Sequence, residues 1–174
     1  MTDFNLSKHL KFYELTTTVR AGLLAANREG GLLVVPKLSL LCVTLLEPLR
    51  PVVNAPVSVS NGYRSDVLNR AVGGSQTSQH CKGEAADWVP GDLRRDRAAM
   101  WSRYQLCANW LRSSGSMFGQ FIFEEKSDDK GPYFWFHLSL GFPFRPLVKC
   151  GELMTYNQRD SYRLLERMAF PGWA

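Results

Sequence analysis

Residues 78–88, SQHCKGEAADW, place a histidine and an aspartate seven positions apart, with small residues and a glycine between them. These two residues are His80 and Asp87, and the chain holds only three histidines. Another of the three, His137, lies in the run YFWFHLSL, where strand alternation puts it on the face opposite the neighbouring phenylalanines. Because the phenylalanine face must be the core, we expect His137 to line a cleft.

Two neutral imidazoles and one carboxylate have the donor types of a catalytic zinc site. Such a site uses three protein ligands and leaves the fourth position open for water. His80, Asp87 and His137 could supply these ligands. The chemistry that this combination favours is metal-assisted hydrolysis of a carbonyl compound.

The same chemistry needs a base and a group that stabilises negative charge. Glu124 precedes His137 in a strand-like run, and it could accept the proton of the attacking water, with Glu125 as the alternative. If a hairpin is centred on residues 130–131, Glu124 lies directly across from His137 on the same face. Arg64 could hold a substrate carboxylate or a developing oxyanion.

Hydrophobic periodicity, turn residues and cap residues predict the elements that position these side chains. In the first half of the chain they are one or two short helices up to about residue 28, a core helix from Leu38 ended by Pro48 and Pro51, a strand at PVSVS, and a helix at DVLNRAV capped by Ser65. In the second half they are a strand at AADWV, a helix from Asp92 to Ser114, and hairpin strands at GQFIFEE and YFWFHLSL. The last element is a short helix carrying Leu164, Leu165 and Met168. The pattern indicates an α+β fold with an antiparallel sheet, helices packed around it and a cleft.

Length and composition favour one folded domain over residues 1–174. Hydrophobic residues make up 45% and charged residues 21% of the chain, which argues against disorder. The longest apolar stretch is interrupted by Thr44 and Glu47 and is shorter than the ~20 residues that span a bilayer, so we expect no transmembrane helix. The amino-terminal residues lack the pattern of a secretory signal, which predicts synthesis in the cytoplasm without a signal peptide.

The cysteines and the net charge say less about function. Four cysteines without CxxC spacing predict free, mostly buried thiols rather than disulfides or a thiolate metal site. A net charge of +5 suits an anionic partner such as nucleic acid, a cell-wall polymer or a membrane surface, and equally a solvated basic face.

Residues 60–88, SNGYRSDVLNRAVGGSQTSQHCKGEAADW, resemble the core of the M15 zinc peptidases, the D-alanyl-D-alanine carboxypeptidase and phage endolysin family. The family pattern is Ser-x-His-x-x-Gly-x-Ala-x-Asp, followed later by Trp-x-His. In this chain the matching residues are Ser78, His80, Gly83, Ala85 and Asp87, then Trp135 and His137. The resemblance covers about residues 40–155 and leaves 156–174 as an extension of unknown role.

The resemblance implies a small hedgehog- or DD-peptidase-like domain that binds one Zn²⁺ ion. It implies His80, Asp87 and His137 as zinc ligands and Glu124 as the general base. Arg64 is then a second catalytic candidate, and the candidate substrate contacts are Tyr63, Ser78 and Trp135. The implied substrates are peptidoglycan stem peptides, cut at the D-Ala-D-Ala bond or at an internal bond such as L-Ala-D-Glu, in phage lysis or cell-wall remodelling. Which bond is cut stays open at this point.

Two other classes of function compete with a peptidase. One is a catalytically silent cell-wall-binding or virion structural module of the same fold, although each expected ligand position is filled. The other is a nucleic-acid-binding protein, which is disfavoured because the arginines are dispersed and the aromatic residues of YFWFH alternate into a core. We therefore expect a monomer that acts on the bacterial cell wall, with no nucleic-acid partner and no membrane insertion.

Overall fold

The computed structural model describes residues 2–141, 150–157 and 161–169. The α-helices are α1 (Phe12–Leu15), α2 (Leu24–Gly31), α3 (Val35–Leu41), α4 (Glu47–Val53), α5 (Asp66–Ala71) and α6 (Arg97–Ser113). Short 3₁₀ turns lie at Ala21–Leu23, Leu32–Val34, Gln79–Lys82 and Leu93–Arg95, and a π turn lies at Cys42–Leu46. The strands are β1 (Val57–Asn61), β2 (Ala85–Pro90), β3 (Phe118–Asp128), β4 (Gly131–Leu140), β5 (Cys150–Asn157) and β6 (Ser161–Ala169).

The strands form one sheet in the order β1-β2-β4-β3-β5-β6. All neighbouring pairs are antiparallel except β3 and β5, which run parallel. The predicted α+β domain is therefore confirmed, but its sheet is mixed rather than antiparallel throughout. A parallel pair needs a long crossover connection, which a pattern of local hairpins does not reveal.

The β3–β4 hairpin forms as predicted, but with a different register. Asp128 pairs with Gly131 across a two-residue turn, and this places Glu124 opposite Trp135, while His137 pairs with Ile122. The expected direct pairing of Glu124 with His137 is wrong. Since side chains alternate with a period of two, a shift of two positions still leaves Glu124 and His137 on the same face of the sheet.

The core helix continues past both prolines that were expected to end it. The backbone N–H of Glu47 bonds to the carbonyl of Cys42, five residues back, so the chain passes through a π turn just before Pro48. Pro48 stands in the first turn of α4, where its missing donor costs little, and Pro51 lies inside that helix. The helical segment consequently extends to Val53.

This helical segment, Ala21–Val53, is long and apolar enough to cross a membrane by length and composition alone. Its most apolar 18-residue window has a mean hydropathy of 1.9, and a third of that window is buried within the protein. Core helices of soluble proteins, which are mostly buried, and signal sequences near the amino terminus have the same length and composition. The buried members here include Leu38, Leu41 and Leu45. The absence of membrane insertion stays a prediction.

One face of the sheet packs against α6. Met100, Tyr104, Cys107 and Leu111 are buried, as their spacing predicts. The ring of Tyr104 stacks on Phe121 with a centroid distance of 4.7 Å. Helix α6 begins at Arg97 rather than at Asp92, because the Asp96 side chain accepts a hydrogen bond from the backbone N–H of Ala99 and caps the helix there. With this face filled, the opposite face is left for a cleft.

The region expected to form a last helix is strand β6. Leu164, Leu165 and Met168 belong to this strand, which pairs with β5. The hairpin is tied to α6 by Arg112, whose guanidinium donates to the carboxylate of Glu166 at 2.6 and 2.9 Å. The extension expected beyond residue 155 thus adds an edge strand to the sheet.

The cysteines of the described residues are free, as predicted. Cys42 and Cys107 are buried and Cys81 is half-buried. The side chain of Cys150 lies outside the described part of the structure.

Candidate active site

A tight turn between α5 and β2 delivers the first histidine. His80 lies in the 3₁₀ turn Gln79–Lys82, which ends at Gly83 in the left-handed region with φ +68°. A Cβ atom at position 83 would come within 2.8 Å of the Val34 side chain, so only glycine fits. The next residue, Glu84, is buried and bonds to Lys37 of α3 at 2.7 Å, which anchors the turn to the helical layer.

Pairing of β2 with β4 brings the other two predicted ligands together. Asp87 lies directly across from His137, and both side chains point to the face that His80 approaches. The Nδ1 atom of His137 lies 3.0 Å from Oδ1 of Asp87, and the Nε2 atom of His80 lies 3.2 Å from each of these two atoms. A tetrahedral zinc ion with bonds of about 2.0–2.1 Å needs donors about 3.3 Å apart, which these three atoms nearly match.

The remaining nitrogen of each imidazole ring is held by the protein. Nδ1 of His80 donates to the carbonyl of Gly62 at 2.7 Å, and Nε2 of His137 donates to Oε1 of Gln79 at 3.1 Å. The amide of Gln79 is oriented in turn, because its Nε2 donates to Oγ of Ser139 at 2.8 Å. These bonds leave Nε2 of His80 and Nδ1 of His137 free to bind a metal.

The sequence did not indicate this role for Gln79. A buried glutamine next to a candidate ligand is the only local signal, and its two partners lie about 60 residues further along the chain.

Two carboxyl groups of the cleft differ sharply in acidity. When no metal is bound, burial opposes ionisation of Asp87, but the positive charge of His80 and the hydrogen bonds from His137 and His80 hold the pKa of Asp87 well below its usual range. Burial and the negative charge of Asp87 raise the pKa of Glu124 to about 7. One carboxylate therefore suits a permanent ligand, and the other suits a group that gains and loses a proton near neutral pH.

The hairpin register separates the two glutamates that were candidates for the base. Glu124 lines the cleft together with Trp135, its partner across the β3–β4 pair. Glu125 points to the opposite face, where its carboxylate lies 3.6 Å from Nε of Arg97 on α6. Of the two, only Glu124 can reach a substrate in the cleft.

The cleft has a volume of about 800 Å³ and is open to solvent. Ser78 lines it, and so does Arg64, whose guanidinium lies 3.9 Å from Asp87. Tyr63 does not point into the cleft, contrary to the sequence-based expectation. It is buried in the hydrophobic core, and its hydroxyl lies against Gly30 of α2, so the structure gives it a packing position.

The terminal hairpin also contributes to the cleft, which the sequence did not suggest. Tyr156 of β5 pairs with Glu124 on one side and with Tyr162 of β6 on the other, so a row of side chains runs from Trp135 across four strands. The two tyrosine rings lie 4.6 Å apart and line the cleft. Neither residue could be assigned there before the parallel β3–β5 pairing was known.

Comparison with known protein families identifies a match. The sequence model of a family described as Peptidase M15 matches residues 8–119, well over half of the chain. The matched range includes His80 and Asp87, whereas Glu124, Trp135 and His137 lie beyond its end. No curated protein sequence matches the chain.

Proposed function

Because the chain belongs to the peptidase M15 family, we propose that it is a zinc-dependent peptidase that hydrolyses stem peptides of bacterial peptidoglycan. The observation that supports this most is the convergence of three donor atoms in an open cleft, with Glu124 on the same face. His137 comes from outside the range that the family match covers, yet its donor atom lies 3.0 Å from that of Asp87.

The donor set fits zinc rather than a hard cation. Two imidazole nitrogens and one carboxylate oxygen suit Zn²⁺, whereas Ca²⁺ and Mg²⁺ take oxygen ligands. His80, Asp87 and His137 would hold the ion, and the ring contacts to Gly62 and Gln79 would keep both imidazoles in the required tautomer. When bound, Zn²⁺ supplies Lewis-acid activation of water and of the substrate carbonyl.

Glu124 is the proposed general base. Its carboxylate accepts a proton from the attacking water, whose oxygen bonds to the carbonyl carbon of the scissile peptide. The same carboxyl group then passes the proton to the leaving nitrogen as the C–N bond breaks, so water is added across the bond. Burial raises the pKa of Glu124 above that of an exposed glutamate, which makes the carboxylate a stronger base for the first step.

Arg64 is the proposed electrostatic partner of the reaction. Its guanidinium lies beside Asp87 at the cleft, where it can donate hydrogen bonds to a substrate carboxylate or to the oxyanion that develops on the carbonyl oxygen. Ser78 and Trp135 are the proposed substrate contacts.

The substrate bond is one of two within the stem peptide. A D-Ala-D-Ala carboxypeptidase removes the terminal residue, and an L-Ala-D-Glu endopeptidase separates the stem from the glycan. Either reaction would serve phage lysis or cell-wall remodelling by a protein made in the cytoplasm and active on the wall.

The test is mass spectrometry of purified peptidoglycan and soluble stem peptides after incubation with the zinc-loaded protein, with and without a chelator. Chelator-sensitive release of one terminal alanine identifies a carboxypeptidase, and separation of L-Ala from D-Glu identifies an endopeptidase. A zinc-loaded sample that binds peptidoglycan and cuts nothing would refute the peptidase and support a wall-binding module.

A further inference from the structure

The cleft has a positively charged end whose two cations, Arg94 and Lys126, have no role in the proposed reaction. We define this cationic rim as Arg94, Lys126, Tyr133 and Trp135, all of which line the cleft. The Tyr133 and Trp135 rings stack with a centroid distance of 5.7 Å. The ammonium of Lys126 lies 5.5 Å from the centre of the Trp135 ring, and the guanidinium of Arg94 lies 5.8 Å from that of Tyr133.

The two cations of the rim lack carboxylate partners among the described residues. The ion pairs in this part of the structure involve their neighbours instead: Arg95 bonds to Asp128 at 2.7 Å, and Arg97 lies 3.6 Å from Glu125. Glu124, on the same face, experiences the charge of Lys126 without forming an ion pair with it. The positive charge at this end of the cleft is therefore available to an anionic group that enters from solvent.

The aromatic rings restrict where that charge can lie. A cation over an aromatic face is attracted to the ring but still has hydrogen-bond donors directed away from it. Lys126 is half-buried, and its ammonium lies 5.5 Å from the centre of the Trp135 ring. The rim thus places hydrogen-bond donors beside two aromatic rings that line the cleft.

The rim lies next to the proposed reaction centre. Along β4, Trp135 is two residues from His137, and along β3, Lys126 is two residues from Glu124. Two residues of a strand span about 7 Å, roughly the length of two residues of a bound peptide. Arg64 lies three residues after the carboxyl end of β1, on the side of the metal-binding group that is away from the rim. The metal-binding group therefore lies between Arg64 and the rim along the strand direction.

We infer that the cationic rim is a carboxylate-binding subsite that selects substrates with a free carboxylate within about two residues of the scissile bond. The inference rests on the proposed peptidase function, and it names the substrate class as an acidic peptide held at both ends, by Arg64 and by the rim. Lysine and arginine donate charge-assisted hydrogen bonds to carboxylates, which are stronger than bonds to a neutral amide. Amidation of that carboxylate should accordingly remove most of the interaction.

The experiment compares two stem peptides that differ only in having this carboxylate free or amidated. Binding is measured by calorimetry in the zinc-loaded Glu124→Gln protein, which leaves the peptides uncut, and cleavage is measured in the wild-type enzyme. We expect the free acid to bind roughly tenfold more tightly than the amide, and the preference to fall to near one in Lys126→Met. Arg94→Met should reduce the preference less, because Arg94 is the more exposed residue.

Lys130→Met is the matched control, since Lys130 lies in the adjacent hairpin turn, carries the same charge and is exposed outside the cleft. The inference is overturned if acid and amide bind equally, if neither binds, or if Lys126→Met and Lys130→Met change the preference equally. Failure of the peptidase proposal can be distinguished from failure of this inference. In that case the wild-type protein cuts neither peptide, whatever the affinities of the two peptides are.

Discussion

The metal-binding group and the terminal hairpin form two sides of one cleft, but they are held by different kinds of contact. His80, Asp87 and His137 are buried, and hydrogen bonds to the Gly62 carbonyl and to Gln79 fix the two imidazole rings. The wall formed by Tyr156 and Tyr162 is the more exposed side, with Tyr162 57% exposed. Its strand is tied to α6 by a surface ion pair between Arg112 and Glu166.

This difference suggests that the metal-binding group determines the chemistry and that the terminal hairpin determines substrate selectivity. Buried, hydrogen-bonded donors have one geometry, and changing any of them disturbs both the metal and the core around it. The exposed ring of Tyr162, on the edge strand β6, can change with little effect on the rest of the molecule, because it contacts solvent or substrate. We therefore expect substitutions in the first region to act on metal content and rate, and substitutions in the second to act on substrate affinity.

The largest effect should follow from removing a ligand. His80→Ala, Asp87→Ala or His137→Ala leaves only two donors, so we expect zinc content and chelator-sensitive cleavage to be lost together. The loss should exceed the roughly 10–100-fold that is typical of changes in the groups that support ligands. Elemental analysis alongside the cleavage assay checks this. A variant that keeps one zinc per chain would show that its residue is not a ligand.

Removing the base should leave the metal in place. Glu124→Gln is expected to retain zinc and to lose about 100-fold or more in kcat, because the proton acceptor is gone. Glu125→Gln is the control, since its side chain lies on the opposite face beside Arg97. Loss of activity in the control with normal rates in Glu124→Gln would reverse the assignment.

The pH dependence provides a second test of Glu124. Burial, with the charge of Asp87, raises its pKa to about 7, so the fraction able to accept a proton falls as the pH drops through that value. Bound Zn²⁺ adds positive charge beside the carboxylate and lowers its pKa. The acidic limb of the kcat/KM profile should therefore lie at or below pH 7 and should be missing from the residual activity of Glu124→Gln. An acidic limb that persists unchanged in the variant would assign it to another group.

A smaller effect is expected from Gln79, which orients a ligand without touching the metal. Gln79→Ala removes the acceptor for Nε2 of His137, so zinc affinity should fall by roughly 10–100-fold. Competition with a chelator of known affinity measures this. Gln76→Ala is the matched control, because Gln76 is exposed in the same loop. Equal affinities in both variants would show that His137 keeps its orientation without Gln79.

The smallest effect should come from the hairpin wall. Tyr162→Ala and Tyr156→Ala are expected to raise KM by a few-fold, about the worth of one aromatic contact, with zinc content and kcat near wild type. Tyr162→Phe should restore most of the affinity if the ring face is what binds. Leu165→Ala on the same strand is the control, since Leu165 is exposed and does not line the cleft. A fall in kcat with unchanged KM would instead connect the hairpin to the metal-binding region.

The sequence predicted those parts of the molecule that depend on local pattern. Alternation identified β1, β2 and the β3–β4 hairpin, because one face of each strand packs in the core and the other lines a cleft or faces solvent. The motif spacing identified three donor residues that the structure brings together. The sequence also predicted that Glu124 and His137 lie on the same face of the sheet. This holds in any register that differs from the predicted one by an even number of residues.

Three of the failures involve contacts between distant segments. Leu164, Leu165 and Met168 have spacing and propensity suited to a helix, yet pairing with β5 makes them part of a strand. Tyr63 was a candidate substrate contact on the basis of the family resemblance, but its side chain packs in the core. The role of Gln79 could not be predicted, because its two hydrogen-bond partners are residues of β4, far away in the sequence.

The antiparallel pairing of β2 with β4 also affects the order in which the protein can mature. His137 is 50 residues away from Asp87 in the chain, so all three donors meet only after β4 has joined the sheet. Contacts between such distant residues form slowly, because a long loop must close first. Until then the chain offers His80 and Asp87 alone, which hold a metal weakly. Tight zinc binding therefore requires the complete central sheet, and a chain still emerging from the ribosome without β4 lacks the third donor.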